Sequence, residues 1–473
     1  YETRGMVEGG TWYWDNVIFP FGYGLSYTTF TQQIVKVSGG LKDANSKVTI
    51  EVKVKNTGSV AGKDVVQLYV STPYYYGGIE KPFVQLVEFA KSPLLRPNEE
   101  WTVSLTVDAY DLASYDYNDA NFNNFYGYEL EKGDYTFYIS KSSHVEDHAY
   151  DYRTFNLDTD LRFENDPVTG TPVVNRYSQA SDDTNAQPGT AEYYLDSAYR
   201  LDDNTIQTSQ GPAIRKGMSR TDFEATFPRS LTREERNFKS GELDYLASKA
   251  HNNTDIAQEA EEKGMPKTNT DDPVIIETDE NGNEIKRNVM LRDLIGLSYD
   301  DPLWEKLLDR LSPTEMLNLV NKGAFQTEPI LKIGKNLTND SDGPIGFVNF
   351  MPGMQSHYYG TTTFASEILI ASTWNKDLAY QMGKIVGDNG LWGDENGNGL
   401  PYTGWYAPAV NLHRSPFSGR NFEYYSEDPI LSGKMAVQVI NGAATKGVYT
   451  DRKHFALNDQ ETNRAGVATF ATE

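Results

Sequence analysis

The sequence predicts a multidomain chain in which an antiparallel β-sandwich precedes part of a parallel (β/α) barrel. Two patterns predict it. Between about residues 47 and 140, apolar and polar residues alternate with period two in short runs separated by turn clusters. From about Leu311 the period becomes helical, and capped helices alternate with short apolar segments, as parallel sheets require. The length of 473 residues agrees, since it exceeds what one hydrophobic core organises.

The strand region is the more regular. Val48, Ile50, Val52 and Val54 alternate with polar neighbours, as do Trp101, Val103, Leu105 and Val107, and then Tyr135, Phe137 and Ile139. Asn56-Thr57-Gly58 and Lys132-Gly133-Asp134 supply turns between them. Short alternating strands with frequent turns read as a sandwich of roughly 100 residues. No chemistry shows inside it, so it reads as a packing module.

Residues 158–300 read as a connector. SQASDDTNAQPG (178–189) is polar and rich in breakers, and 252–272 is charged with few apolar anchors. One hairpin is expected near 274–286, where IIE and EIK flank Asn281-Gly282.

In the last region, Ser312-Pro313-Thr314-Glu315 forms a capping box ahead of Met316, Leu319 and Val320. Asn375 caps a helix with Leu378, Met382, Ile385 and Val386 on one face. Asp428-Pro429 opens another through Met435, Ala436 and Val439. Strands are expected at 345–350, 364–370, 405–410 and 448–449. About four such units fit into residues 301–473, whereas eight need roughly 250 residues. Half a barrel exposes two parallel edges, so a longer polypeptide is expected.

Composition narrows the function. Lys plus Arg total 43 against 67 Asp plus Glu, a net charge of -24, which argues against nucleic acid or an anionic membrane as partner. No Cys is present, which removes disulfides and thiolate chemistry. No apolar run approaches the roughly 20 residues of a membrane span. Tyr1 opens no signal peptide, and a soluble, cytoplasmic setting is favoured over secretion. The 31 Tyr are rings of the kind that suit carbohydrate, a weak pointer. No cofactor is expected. A calcium loop at Asp394-x-Asn396-x-Asn398-Gly399 fails because its twelfth position is Trp405, so no metal is assigned.

Polar clusters fall where parallel barrels carry ligand chemistry, after the expected strands. They are Ser341-Asp342-Gly343-Pro344, Gly419-Arg420-Asn421-Phe422-Glu423 and Lys453-His454, with Asp459, Glu461 and Arg464 following. Each alone reads equally as a solvated loop. Three at consecutive strand ends favour one pocket. A carboxylate accepting from hydroxyls, Arg and Lys donating, and His doing either suit a neutral polyol such as a hexose.

FPFGYGLSYTTF (19–30), SDGP (341–344), GRNFEYYSEDP (419–429) and KHFALNDQETNR (453–464) resemble glycoside hydrolase family 3, most closely its β-glucosidases. The resemblance implies an α/β sandwich domain ending at 1–30, a fibronectin type III-like domain at 31–157 and the first part of a TIM-like barrel at 301–473. This is a reversed domain order. It implies a β-glucoside or cello-oligosaccharide substrate, with Asp342, Arg420, Lys453 and His454 binding the sugar. Arg464 would orient nearby acids, including the nucleophile; Glu423, Asp459 and Glu461 are supporting residues, for which plain pairing with these cations is the equal alternative. A family enzyme of this kind retains configuration through two carboxyl groups roughly 5 to 5.5 Å apart. Neither carboxyl is assignable here, and the nucleophile Asp and acid/base Glu are expected outside this chain, in the remainder of the same polypeptide. Val348 stands where many members carry an Arg, which puts one sugar contact in question. β-Xylosidase or arabinosidase activity and a non-catalytic sugar-binding protein stay open, as does a homo-oligomer.

Overall fold

The computed structural model describes residues 17–116, 119–173, 205–208, 211–214, 275–347, 361–392, 402–416, 418–454, 457–462 and 464. The calcium-like segment at Asp394, Val348, Phe455 and most of the expected connector lie outside the described residues.

The strand region folds as two antiparallel sheets. One has the order β1 (Phe30–Gly39), β2 (Lys47–Asn56), β5 (Glu100–Asp108). The other runs β4 (Gln85–Lys91), β3 (Val65–Ser71), β8 (Gly133–Ser140), β9 (Ala149–Leu157). A small sheet of β6 (Ser114–Asp116), β7 (Gly127–Leu130) and β10 (Leu161–Phe163) lies beside them. Period-two alternation sends every second residue inward. Val48, Ile50, Val52 and Val54 of β2 are wholly buried, and meet Phe137 and Ile139 of β8 in one core. Each such side chain contributes roughly 1.5–3 kcal/mol of hydrophobic stabilisation.

Two short hairpins follow, β11 (Thr205–Thr208) with β12 (Gly211–Ile214), and β13 (Ile275–Thr278) with β14 (Glu284–Arg287). The second closes through five residues rather than an Asn-Gly pair alone. Asp279 Oδ1 accepts from the Asn281 and Asn283 amides at 2.9 and 2.7 Å, and Gly282 takes a φ of 85°. The α1 turn (Val145–His148) lies between β8 and β9.

The barrel region begins with α2 (Leu303–Leu308) and α3 (Pro313–Asn321). The capping box forms as read: Ser312 Oγ accepts from Glu315 N at 3.3 Å, and Glu315 Oε2 accepts from Ser312 N at 2.7 Å. Val320, expected on the apolar face, is exposed. Next come β15 (Gln326–Thr327), β16 (Thr338–Asp342), α4 (Glu367–Ser372), α5 (Lys376–Trp392), β17 (Gly404–Tyr406), α6 (Pro429–Ala444) and β18 (Tyr449–Thr450). Strands β16, β17 and β18 are parallel neighbours, and β15 adds antiparallel to β16.

Two expected strands are corrected. Residues 345–347 turn instead of extending, because Gly343 and Gly346 hold φ of 122° and 113°. The strand lies just upstream in the polar stretch Thr338–Asp342. Residues 367–370 belong to α4, entered at Ser366.

The face of α5 is corrected too. Leu378 and Ile385 are exposed, while Ala379, Met382, Gly383, Val386, Gly387 and Gly390 are buried. The reason is close helix packing: a Cβ on Gly383 would stand 2.0 Å from the Val439 carbonyl of α6, and one on Gly442 would stand 2.2 Å from the Tyr380 carbonyl. Glycine there admits the neighbouring backbone.

Sandwich and barrel region share a core, in which Phe89 of β4 meets Trp374 edge to face at 5.1 Å. Glu88 of β4 pairs with both Lys376 of α5 and Lys434 of α6. Lys91 donates to the Thr373 carbonyl at 2.5 Å. Among the described residues no helix is long and apolar enough to cross a membrane.

Candidate sugar site

Register decides which side chains converge. Asp340 pairs with Gly404 and Asp342 with Tyr406, so these residues share one side of the sheet. Ser341 and Trp405 take the other side. Trp405 is fully buried, packs in the apolar core, and donates its indole N–H to the Gly343 carbonyl at 2.7 Å. On the polar side, the missing Cβ of Gly404 leaves room for Asp340 Oδ1 and the Tyr449 ring. Asp340 there accepts from the Tyr449 and Tyr406 hydroxyls.

Asp342 is the last residue of β16 and accepts an ion-paired hydrogen bond from Lys453 Nζ. Lys453 lies just past β18. Its N–H donates to the Pro408 carbonyl at 3.1 Å, and its carbonyl accepts from Val410 N at 2.6 Å. Ala409 and Lys453 therefore bridge as parallel partners, extending the sheet beyond β17.

His454 adjoins Lys453, with Nδ1 3.1 Å from the Tyr424 hydroxyl. That hydroxyl also accepts from Asn458 Nδ2 at 2.7 Å, which leaves its own proton free to be donated to Nδ1. With that proton donated to Nδ1, the N–H of the neutral ring sits on Nε2. Burial, followed by the charges of Arg420 and Lys453, pushes the His454 pKa down to about 4. The imidazole is neutral at pH 7.

Arg420 follows β17 and precedes a short 3₁₀ turn, Asn421–Glu423. It donates to Glu423 and lies 3.5 Å from Glu461. Asn458 Nδ2 donates to Glu461 at 3.0 Å, and Arg464 pairs with Glu461 at 3.3 Å while staying largely exposed. Burial alone would raise the Glu461 carboxyl, but the Asn458 hydrogen bond and the two arginines outweigh it and hold it low. Asp459 departs from expectation. It pairs with Arg414 at 3.5 Å and accepts from Asn411 Nδ2 at 3.1 Å, because that amide already orients the segment through Asn458 N.

Residues 345–471 match the glycosyl hydrolase family 3 N-terminal domain, and residues 64–143 match a fibronectin type III-like domain. The chain carries a family 3 glycosyl hydrolase domain. A β-glucosidase A of Butyrivibrio fibrisolvens is 31% identical over 97% of this chain and 49% of its own length. A β-glucosidase of Ruminococcus albus is 30% identical over 97% of this chain and 40% of its own. The solved structure of a β-glucosidase from Paenibacillus barengoltzii aligns with TM-score 0.58 and 25% identity, over 94% of this chain and 41% of that one. The chain spans about half the length, or less, of these curated relatives.

The structure brings together Asp342, just ahead of the matched residues, with Lys453, and Arg420 with Glu423 and Glu461. All of these but Glu423 bear electrostatically on His454. Sequence reasoning missed Tyr424, Asn458, Asn411 and Glu367. The last was visible as a lone acid inside the apolar run FASEILIAS.

Proposed function

We propose that the polypeptide carrying this chain is a retaining exo-β-glycosidase, a β-glucosidase that removes terminal non-reducing β-D-glucosyl residues from oligosaccharides. The observation that carries this reading is the convergence of Asp342, Arg420, Lys453 and His454 at the carboxyl ends of parallel strands. Asp342 accepts from ring hydroxyls, Arg420 and Lys453 donate to them, and the His454 Nε2–H gives one further donor. Such a set fixes a neutral hexose through its hydroxyl pattern and places its anomeric carbon for attack. The hydroxyl contacts strengthen as positive charge develops on the ring. The similarity to named β-glucosidases over almost the whole chain supports the same reading.

Parallel assays of the native gene product on nitrophenyl β-glucoside and β-xyloside test it. Faster turnover of the glucoside, lost in Lys453→Ala, is the expected result. Preference for the xyloside would move the assignment to a pentosidase. Sugar binding without turnover would make this a binding protein.

A further inference from the structure

We infer that Glu367 is a positioning residue for the sugar site, anchoring the backbone from which Lys453 reaches Asp342. The inference rests on the reading of that site as sugar-binding. Glu367 opens α4 and is completely buried. Both its carboxyl oxygens accept from a single donor, the Ala409 N–H, at 3.0 and 3.1 Å. Ala409 is the residue that bridges to Lys453, and its own N–H is not used in that bridge. The bridge uses the Val410 N–H and the Pro408 carbonyl instead. Glu367 thus ties down the free side of the backbone whose other side holds Lys453. The path from the buried acid to the Lys453 main chain is one residue pair long.

Energetics argue that this acid is not simple filling. A buried carboxyl with one backbone donor is costly, and an apolar side chain of similar volume would suit the interior better. Among the described residues Glu367 forms no ion pair, while Lys453 and Glu423 bear on it through their charges. Burial, the dominant cause, raises its carboxyl well above the usual range. An uncharged amide that still accepts from Ala409 should therefore replace it, whereas a hydrocarbon should not.

Hydrogen exchange measured by mass spectrometry, together with glucose titration of the native gene product, tests this. Glu367→Met is expected to speed exchange about tenfold in peptides holding Ala409 and Lys453, with peptides from β2 and β8 unchanged. Its affinity for glucose should fall about tenfold. Glu367→Gln should restore both to within about threefold. Glu367→Leu serves as the second apolar variant should the Met variant fold poorly. Unchanged exchange near Ala409, or faster exchange with undiminished glucose affinity, overturns the inference. A wild-type gene product that binds neither glucose nor a glucoside sinks the sugar-site reading itself, and the inference with it.

Discussion

Strand β2 turns Val48, Ile50, Val52 and Val54 into a dry core, whereas β16 carries Asp340 and Asp342 on its alternate positions. Both strands obey the same two-residue period. The sandwich uses it to remove hydrocarbon from water. The barrel region uses it to set Asp340 against two tyrosine hydroxyls and Asp342 against Lys453, at a cost in desolvation that these contacts must offset. On the proposed reading, stability and recognition fall to different sheets, and substitutions should separate them.

The largest effect is expected in the sandwich. Phe137→Ala should cost about 3–5 kcal/mol by urea denaturation, because it deletes a wholly buried ring and leaves a cavity. Unaltered glucose affinity in the folded variant would sharpen the division, and weakened affinity would break it. Lys453→Ala should do the reverse. It should lower kcat/KM for an aryl glucoside about 100-fold, or about 2.7 kcal/mol, with a smaller loss of stability than Phe137→Ala. Gly383→Ala should cost about 1–3 kcal/mol in calorimetry by forcing α5 from the Val439 carbonyl, net of the helix propensity that alanine adds.

The smallest effects concern pH. Because His454 titrates near 4 when folded, sugar affinity should stay flat from pH 7 to about 5 and fall only below that. An ordinary imidazole would already lose its neutral form near pH 6.5. The unfolded chain takes up that proton first, so the stability tied to His454 is fully present above 6.5 and is lost as pH falls through about 4. A fall in affinity centred near 6.5 in a titration series would contradict the packing described around Tyr424.

The sandwich was legible because burial on one face leaves period two directly in the sequence, as Tyr135, Phe137 and Ile139 show. Caps were legible for the same local reason: Asp428 accepts from Leu431 N at 2.7 Å, as its position before Pro429 implies. The barrel strands were harder. Thr338–Asp342 has no apolar residue, since its neighbours demand hydroxyls and carboxylates, so hydrophobicity pointed to residues 345–350 instead. The buried face of α5 was misread because glycine packs by absence, and a scale that rewards side chains overlooks Gly383 and Gly387. At the site, Asp342, Arg420, Glu423, Lys453 and His454 could be named from motifs, but not which of them pair. The Arg414 partner of Asp459 was not legible, because pairing across 45 residues depends on how Asn411 steers the backbone.

Glu88 has an engineering consequence. One acid on β4 serves as counter-ion to a lysine on each of two helices. Transplanting either module alone would strand two ammonium groups or one carboxylate at a cut surface. A chimera of this chain should therefore exchange β4, α5 and α6 as a single cassette.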